Sequence, residues 1–228
     1  MIKNPLLHNY SMNLIELKNQ LALDAVKIIF TNKLDCIFIG GTALNAFYVD
    51  YRFSEDADIG YESRNPIRDI VGLLGKCGYT VKPTIHPFRH IIESQGVSIK
   101  LDVLKYTAKG HGYATMQLGP VAVKTLSVEE FVLDKCICFL SREDFGGLAR
   151  DGFDLFMLDR KYGNVAKIIG HSKKLISGSV NVAQHNINLF LSDSEKAYAE
   201  IKPYLKKEID LAGARKLIKK IGVILDGQ

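Results

Sequence analysis

An α+β fold follows from three features of the 228-residue chain. Short runs that read as strands crowd its first half, "CIFIGG" at 36–41 and "DADIGY" at 56–61 among them. Helical periodicity is interleaved with those runs, and from Ser127 onward it takes over. This order predicts a mixed sheet flanked by helices over residues 1–125, followed by an all-helical part over 126–228.

Each element has its own signal. "NLIELKNQLALDAVKIIFTNK" sets Leu14, Leu17, Leu21, Ala25, Ile28 and Ile29 at helical spacing and closes near Asn32. "CIFIGG" is an apolar run halted by two glycines, which predicts a buried strand, and "TALNAFYVD" then begins a short helix at once. "DADIGY" alternates and reads as a strand. "NPIRDIVGLLGKCG" is a helix with Pro66 near its first turn and Gly78 near its end. "YTVKPTI", "FRHIIES" and "VSIKLDVLKY" follow as strands, the last two joined by a Gln95-Gly96 turn. Ser127 and Glu130 predict a capping box on the helix "VEEFVLDKCICFLS". Gly146-Gly147 is expected to separate that helix from "LARDGFDLFMLDRKYG", and "SGSVN" near residue 178 to be a connector.

Composition narrows the functional classes. No stretch approaches the roughly 18 apolar residues of a membrane span, and the N-terminal "MIKNPLLHNYSMN" has no long apolar run, so the chain reads as soluble and cytoplasmic. Four cysteines make no disulfide scaffold at this size, and Cys136-x-Cys138 lacks zinc spacing. Residues 1–163 balance 19 Lys/Arg against 19 Asp/Glu, whereas residues 164–228 carry 11 against 6, which is the whole net charge of +5. A basic C-terminal part draws a polyanion such as RNA, although lysine-rich helical surfaces also arise merely as solvated faces.

The chemistry is concentrated in "RFSEDADIGY". Alternation along a strand sends Asp56 and Asp58 to one face, about 7 Å apart at a rise of about 3.3 Å per residue, and Ala57 to the other. Two like charges on a half-buried strand repel each other and lose hydration unless a cation neutralises them. Mg²⁺, a hard ion that combines one or two carboxylates with substrate phosphates, suits the pair. In "SIKLDVLKY", Asp102 shares a face with Ser98 and Lys100 while Ile99, Leu101 and Val103 face the other way. If that strand lies beside "DADIG", Asp102 joins the cluster, and two ions about 3.5 to 4 Å apart would clamp an in-line displacement. Gly40, Gly41 and Thr42, where a strand runs directly into a helix, would let a phosphate approach the backbone, with Thr42 capping the helix or bonding a phosphate oxygen. On its own, a Gly-Gly turn of this kind is better explained by conformation; coupled to the Asp-x-Asp strand after one short helix, it is a much stronger signal.

The run "GGTALNAFYVDYRFSEDADI" resembles the signature of the polymerase β-like nucleotidyltransferase superfamily, a Gly-Gly segment followed by Asp-x-Asp. Arg52-Phe53-Ser54-Glu55-Asp56-x-Asp58 is most similar to its AbiEii/AbiGii (MenT-like) toxin branch. "LSVEEFVLDKCICFLSR" and "ARDGFDLFML" resemble that branch's later helical motifs, so the similarity spans about residues 37–158. The resemblance implies a polymerase β-like core, metal on Asp56, Asp58 and Asp102, and nucleotide phosphates on Gly41 and Thr42. It also implies a phosphate-binding Lys135, with Asp151 and Asp154 organising the site. Ala57, where a larger aliphatic residue is usual, and Gly60 depart from the pattern without removing a ligand.

Helical geometry bears on Lys135 independently. Val128, Phe131, Lys135, Cys138 and Arg142 form one stripe, so two cations share an apolar face and either snorkel outward or point into an anionic cleft. On the next helix Asp151, Leu155, Leu158 and Tyr162 form a matching stripe, so Lys135 and Asp151 are also placed to form a structural ion pair that holds the two helices together, which is compatible with a site role. Arg150 and Asp154 are spaced to bond at i, i+4. Arg52 and Lys105 stand beside the acidic strands, where they neutralise them or touch a triphosphate; Ser54 bonds a metal ligand or caps the strand. His86 and His90 near Arg89 are weaker candidates, and Tyr48 and Tyr51 read as packing residues.

The expected activity is Mg²⁺-dependent transfer of NMP from an NTP to an acceptor hydroxyl with release of pyrophosphate. The resemblance implies a toxin with a cognate antitoxin, and with the basic helices it points to the tRNA 3′ end as acceptor. One alternative keeps the chemistry on a small molecule, as in antibiotic-modifying nucleotidyltransferases, but a basic C-terminal half suits a cationic drug poorly. Another is a non-catalytic module that binds RNA or an antitoxin, against which stands the retention of three mutually repelling carboxylates.

Overall fold

The computed structural model describes residues 13–176 and 180–226, the side chains of 180–182 excepted; the "SGSVN" connector and the extreme N-terminus fall largely outside these. Within them a seven-stranded mixed sheet runs in the order β3-β4-β5-β2-β1-β7-β6. Its strands are β1 (Ile37–Ile39), β2 (Asp56–Tyr61), β3 (Thr80–Pro83), β4 (Arg89–Ser94), β5 (Val97–Lys105), β6 (Tyr113–Leu118) and β7 (Val121–Leu126). Helix α1 (Leu14–Thr31) starts with a reciprocal capping box between Asn13 and Glu16 and buries Leu21, Ala22, Ala25, Val26, Ile29 and Phe30. It packs against β2, β5 and β7. Ala57, Ile59, Leu101 and Val103 are fully or almost fully buried, so period-2 alternation leaves Asp56, Asp58 and Asp102 on the opposite face.

Two registers place those acids together. β2 and β5 pair in parallel with Asp58 opposite Asp102, and β1 pairs antiparallel to β2 with Ile39 opposite Asp58. The chain leaves β1 at Ile39, so the glycine bend opens beside Asp58. α2 (Gly40–Leu44) follows directly and passes into a π-turn at Asn45–Val49. α3 (Ile67–Lys76) connects β2 to β3.

The β6–β7 hairpin is an element the sequence reading did not assign. It turns at Gly119, whose φ is +63°, and sets β7 parallel to β1, where the Thr125 hydroxyl donates to the Phe38 carbonyl at 2.6 Å. β1 is therefore interior to the sheet. Beyond Leu126 the described chain is helical: α4 (Val128–Ser141), α5 (Phe145–Tyr162), α6 (Val165–His171), α7 (Lys173–Ile176), α8 (Val180–Ser192), α9 (Ser194–Ile201) and α10 (Leu211–Asp226), with a 3₁₀ turn at Lys202–Tyr204.

Two local expectations are corrected. Ser127 caps α4 through the Glu130 amide at 3.1 Å, but the Glu130 carboxylate does not complete the box. It accepts instead from the Lys109 and His111 amides at 2.5 and 3.0 Å, tying the β5–β6 connection to α4. Gly146 and Gly147 do not separate two helices; they lie in the first turn of α5, which Asp144 caps through the Gly147 amide. Glycine fits there because a Cβ on Gly147 would lie 2.6 Å from the Asp144 carboxylate.

Candidate active site

The glycine bend faces the acids as expected. Gly40 has φ +75°, a conformation that favours glycine, and a Cβ there would lie 1.9 Å from Asp58 Oδ2. At Gly41 a Cβ would meet Arg52 Nη2 at 2.8 Å and Ser54 Oγ at 3.4 Å. Backbone, Asp58, Arg52 and Ser54 therefore converge within van der Waals reach. Thr42 plays neither predicted role: it is buried, Ile39 is the cap position of α2, and the Thr42 hydroxyl donates to the Asp56 carbonyl. That bond locks the helix onto the carboxylate strand. Asn45, which the sequence reading passed over, completes the brace. Its buried amide donates to Gly41 O at 2.9 Å and accepts from the Tyr51 and Arg52 amides at 3.3 and 3.2 Å.

The three carboxylates have different surroundings. Glu55, their neighbour, is taken up by Lys18 at 2.7 Å. Asp56 is half-buried with Lys100 3.9 Å away; burial raises its pKa, Lys100 and Arg150 oppose the rise, and Asp102 and Glu55 add to it. Asp58 has no hydrogen-bond or ion-pair partner among the described residues. Loss of hydration, then the charges of Asp56 and Asp102, push its pKa up to about 7. Asp102 is nearly buried and is gripped by Arg89, whose Nε and Nη2 donate to its two oxygens at 2.7 and 2.6 Å. Arg89 stands directly opposite it on β4. No group of three or more His, Cys, Asp or Glu side chains forms a ready metal cage among the described residues. The expected triad is thus one acid without a partner among the described residues, Asp58, one loosely offset by Lys100, Asp56, and a third held by an arginine, Asp102.

Behind the bend lies a buried ion network. Arg52, 4% exposed, donates from Nε and Nη2 to Asp154 at 3.1 and 2.9 Å, and the Tyr51 hydroxyl donates to the same carboxylate at 2.6 Å. Lys135 Nζ, 5% exposed, lies 2.8 Å from Asp151 and 2.9 Å from Asp154, and Arg142 Nε donates to Asp151 at 2.7 Å. Arg52 and Lys135 hold the Asp154 carboxyl well below the usual carboxylate range against the opposing effect of burial.

The structural ion pair expected of Lys135 is present and extends to a second acid, and Arg52, whose Nη2 lies against the Gly41 bend, is likewise paired with Asp154. The predicted Arg150–Asp154 bond does not form, because Asp154 turns to Arg52, Tyr51 and Lys135. Tyr51 is a network member rather than packing alone, whereas Tyr48 donates to Leu126 O at 2.7 Å. His90 Nδ1 is buried without a partner, and His86 stacks on Phe88.

The family model described as nucleotidyl transferase AbiEii toxin, type IV TA system, matches residues 22–210. The crystal structure of JHP933 from Helicobacter pylori is similar over 96% of each chain, at 17% identity and a TM-score of 0.56. That of a candidate nucleotidyltransferase from H. pylori is similar over 94% of each chain, at 18% identity and a TM-score of 0.54. No curated protein matches the chain. Since the family model covers most of the sequence, both halves of the ion network included, the chain belongs to the AbiEii nucleotidyl transferase toxin family and is a nucleotidyltransferase.

Proposed function

We propose that the chain transfers a nucleoside monophosphate from an NTP to the 3′-terminal hydroxyl of a tRNA, in the cytoplasm, as the Mg²⁺-dependent toxin of a pair with a cognate antitoxin. The observation that carries this reading is Asp58: a carboxylate without a partner among the described residues, beside Asp56 and opposite Asp102, set against backbone that only glycine permits. A half-buried acid without a cation of its own, beside a second that only a distant lysine offsets, is a binding site for a cation.

The donor set fits magnesium, with Asp56 and Asp58 as hard oxygen ligands and Asp102 within reach once Arg89 yields it. Bound there, the ion would neutralise triphosphate charge and favour departure of pyrophosphate. Gly40 and Gly41 let the triphosphate lie against the main chain, and the Ser54 hydroxyl beside Gly41 is available to bond it. Asp102 orients the acceptor hydroxyl and accepts its proton as the new O–Pα bond forms. The bond from Pα to the bridging oxygen breaks, and pyrophosphate leaves with that oxygen.

Arg52, Lys135, Arg142, Asp151 and Asp154 act by position: the network clamps the Gly41–Arg52 side of the site onto α4 and α5. Positioning and charge neutralisation supply most of the acceleration in such transfers. The acceptor assignment draws on the charge surplus of residues 164–228 and on the exposed Lys216, Lys219 and Lys220 of α10. Incubation with each α-labelled NTP, Mg²⁺ and total tRNA tests the reading. Label should appear on tRNA with the native protein and vanish with Asp58→Asn; label on the protein itself, or none with any NTP, refutes it.

A further inference from the structure

The connection between β3 and β4 carries a surface that the reaction above does not use. Of the six large hydrophobic side chains exposed among the described residues, Ile85 at 93% and Phe88 at 37% sit in this one loop. His86 stacks on Phe88 with ring centres 5.5 Å apart and planes at 26°. The Arg89 guanidinium lies 5.7 Å from the centre of the Phe88 ring while gripping Asp102. The loop has a fixed shape. The Arg89 amide donates to His86 O at 3.0 Å, the Thr84 hydroxyl to Arg89 O at 3.0 Å, and the His86 amide to Thr84 Oγ at 3.1 Å. The Val103 amide donates to Phe88 O at 2.8 Å, which anchors the aromatic end of the loop beside Asp102.

Exposed, preorganised aromatic rings next to an arginine are the surface on which unpaired bases of a single strand stack. Their place in the sheet says which substrate they meet. Across the strand order β4-β5-β2-β1 lie the His86–Phe88 pair and Arg89, then Asp102, then Asp58, then the glycine bend. At about 4.8 Å per strand the two ends are roughly 14 Å apart. The triphosphate belongs at the glycine end, so the aromatic end is left for the acceptor, whose hydroxyl must reach Asp102 between them.

We propose that His86 and Phe88 form a stacking platform for the terminal nucleobase of a single-stranded acceptor end, with Ile85 as its apolar margin. An acceptor phosphate would draw Arg89 off Asp102 as the base seats. This deepens the transfer proposed above by assigning the acceptor its subsite.

The probe is a short single-stranded RNA ending in CCA, its terminal adenine replaced by 2-aminopurine, whose fluorescence is quenched on stacking. Titration of the native protein without NTP should quench it, and Phe88→Ala should weaken binding roughly 5- to 150-fold, the range for one stacked base. Phe88→Tyr should restore both quenching and affinity, and because it keeps the ring against His86 and Arg89 its unfolding midpoint should match that of the native protein. In turnover, Phe88→Ala should raise KM for the RNA and leave KM for the NTP alone. Unchanged quenching in Phe88→Ala, or a rise in KM for the NTP with that for RNA constant, overturns the platform. Because quenching needs no catalysis, its loss in Phe88→Ala supports the platform even where native protein transfers no label, an outcome that refutes only the proposed reaction.

Discussion

Removing Asp154 should destabilise the protein more than removing Lys135, although the two contact each other. The network contains two buried cations, Arg52 and Lys135, a third, Arg142, at its solvent-facing rim, and two buried anions, Asp151 and Asp154. Asp154→Ala leaves Arg52 without its carboxylate in a site where it is 4% exposed, and the surplus of positive charge grows from one to two. Lys135→Met brings the network to neutrality, and each remaining acid keeps an arginine. An uncompensated buried charge costs about 3–5 kcal/mol, whereas replacing a charge by an apolar side chain of similar volume costs less when the rest remain paired. For a chain of this size 1 kcal/mol moves Tm by about 2–4 °C, so Asp154→Ala should lower it by about 6–20 °C. Asp154→Leu combined with Arg52→Met should recover much of that loss. Calorimetry or urea unfolding of the four proteins decides. A Lys135→Met protein less stable than Asp154→Ala, or an Asp154→Ala loss below about 1 kcal/mol, would refute the charge accounting. The pH dependence has a definite sign. The folded pKa of Asp154 is depressed, so its contribution is fully present above the ordinary carboxylate value and fades only as pH falls through the lower, folded one. Mild acid should therefore leave the pairs made by Asp154 intact.

Asp58 shows the opposite linkage: its folded pKa of about 7 exceeds the unfolded value, so metal-free stability should fall as pH rises from about 4 to about 7. In Asp58→Asn that decline should shrink, and added Mg²⁺ should raise Tm of the native protein chiefly above pH 7; identical Tm–pH curves for the two proteins would refute the assignment. Gly40→Ala combines a positive φ with a Cβ 1.9 Å from Asp58 Oδ2, so it should abolish transfer and destabilise by at least about 1 kcal/mol, measured by labelled-NTP assay and thermal unfolding. Arg89→Ala frees Asp102 to ligate, so Mn²⁺ titrated by paramagnetic resonance should bind more tightly than to the native protein; weaker binding would show that Arg89 shapes the site instead of competing for it.

Much of the fold was legible because its signals are local. The α1 periodicity, the strand-Gly-Gly-helix passage and the alternation of "DADIGY" and "SIKLDVLKY" each depend on neighbours within a few residues, and each element is present, although α2 takes in both glycines and starts at Gly40 where the sequence predicts Thr42. The β6–β7 hairpin was not read, since β6 is an edge strand whose residues alternate between partly buried and exposed and offer no continuous apolar run. The capping box failed for a related reason. Local pattern proposes Glu130 for the Ser127 amide, but two amides of the β5–β6 connection compete for the same carboxylate and win.

The site divides along the same line between local pattern and long-range pairing. That Asp56 and Asp58 share a face needs only alternation, and the Lys135–Asp151 pair needs only two helical stripes. Arg52 reaching Asp154 spans 102 residues, and no spacing rule connects them. Arg89 is the instructive intermediate. Gln95 and Gly96 both have positive φ and close a two-residue turn between Ser94 and Val97. Once that turn is accepted, counting back equally along both strands from the Ser94–Val97 pair puts Arg89 opposite Asp102, as observed. The hairpin that supplies the third acid therefore also supplies the cation that restrains it. Alternation alone carries the acid to the active face; the turn register delivers its arginine, and with it the aromatic loop from which Arg89 emerges.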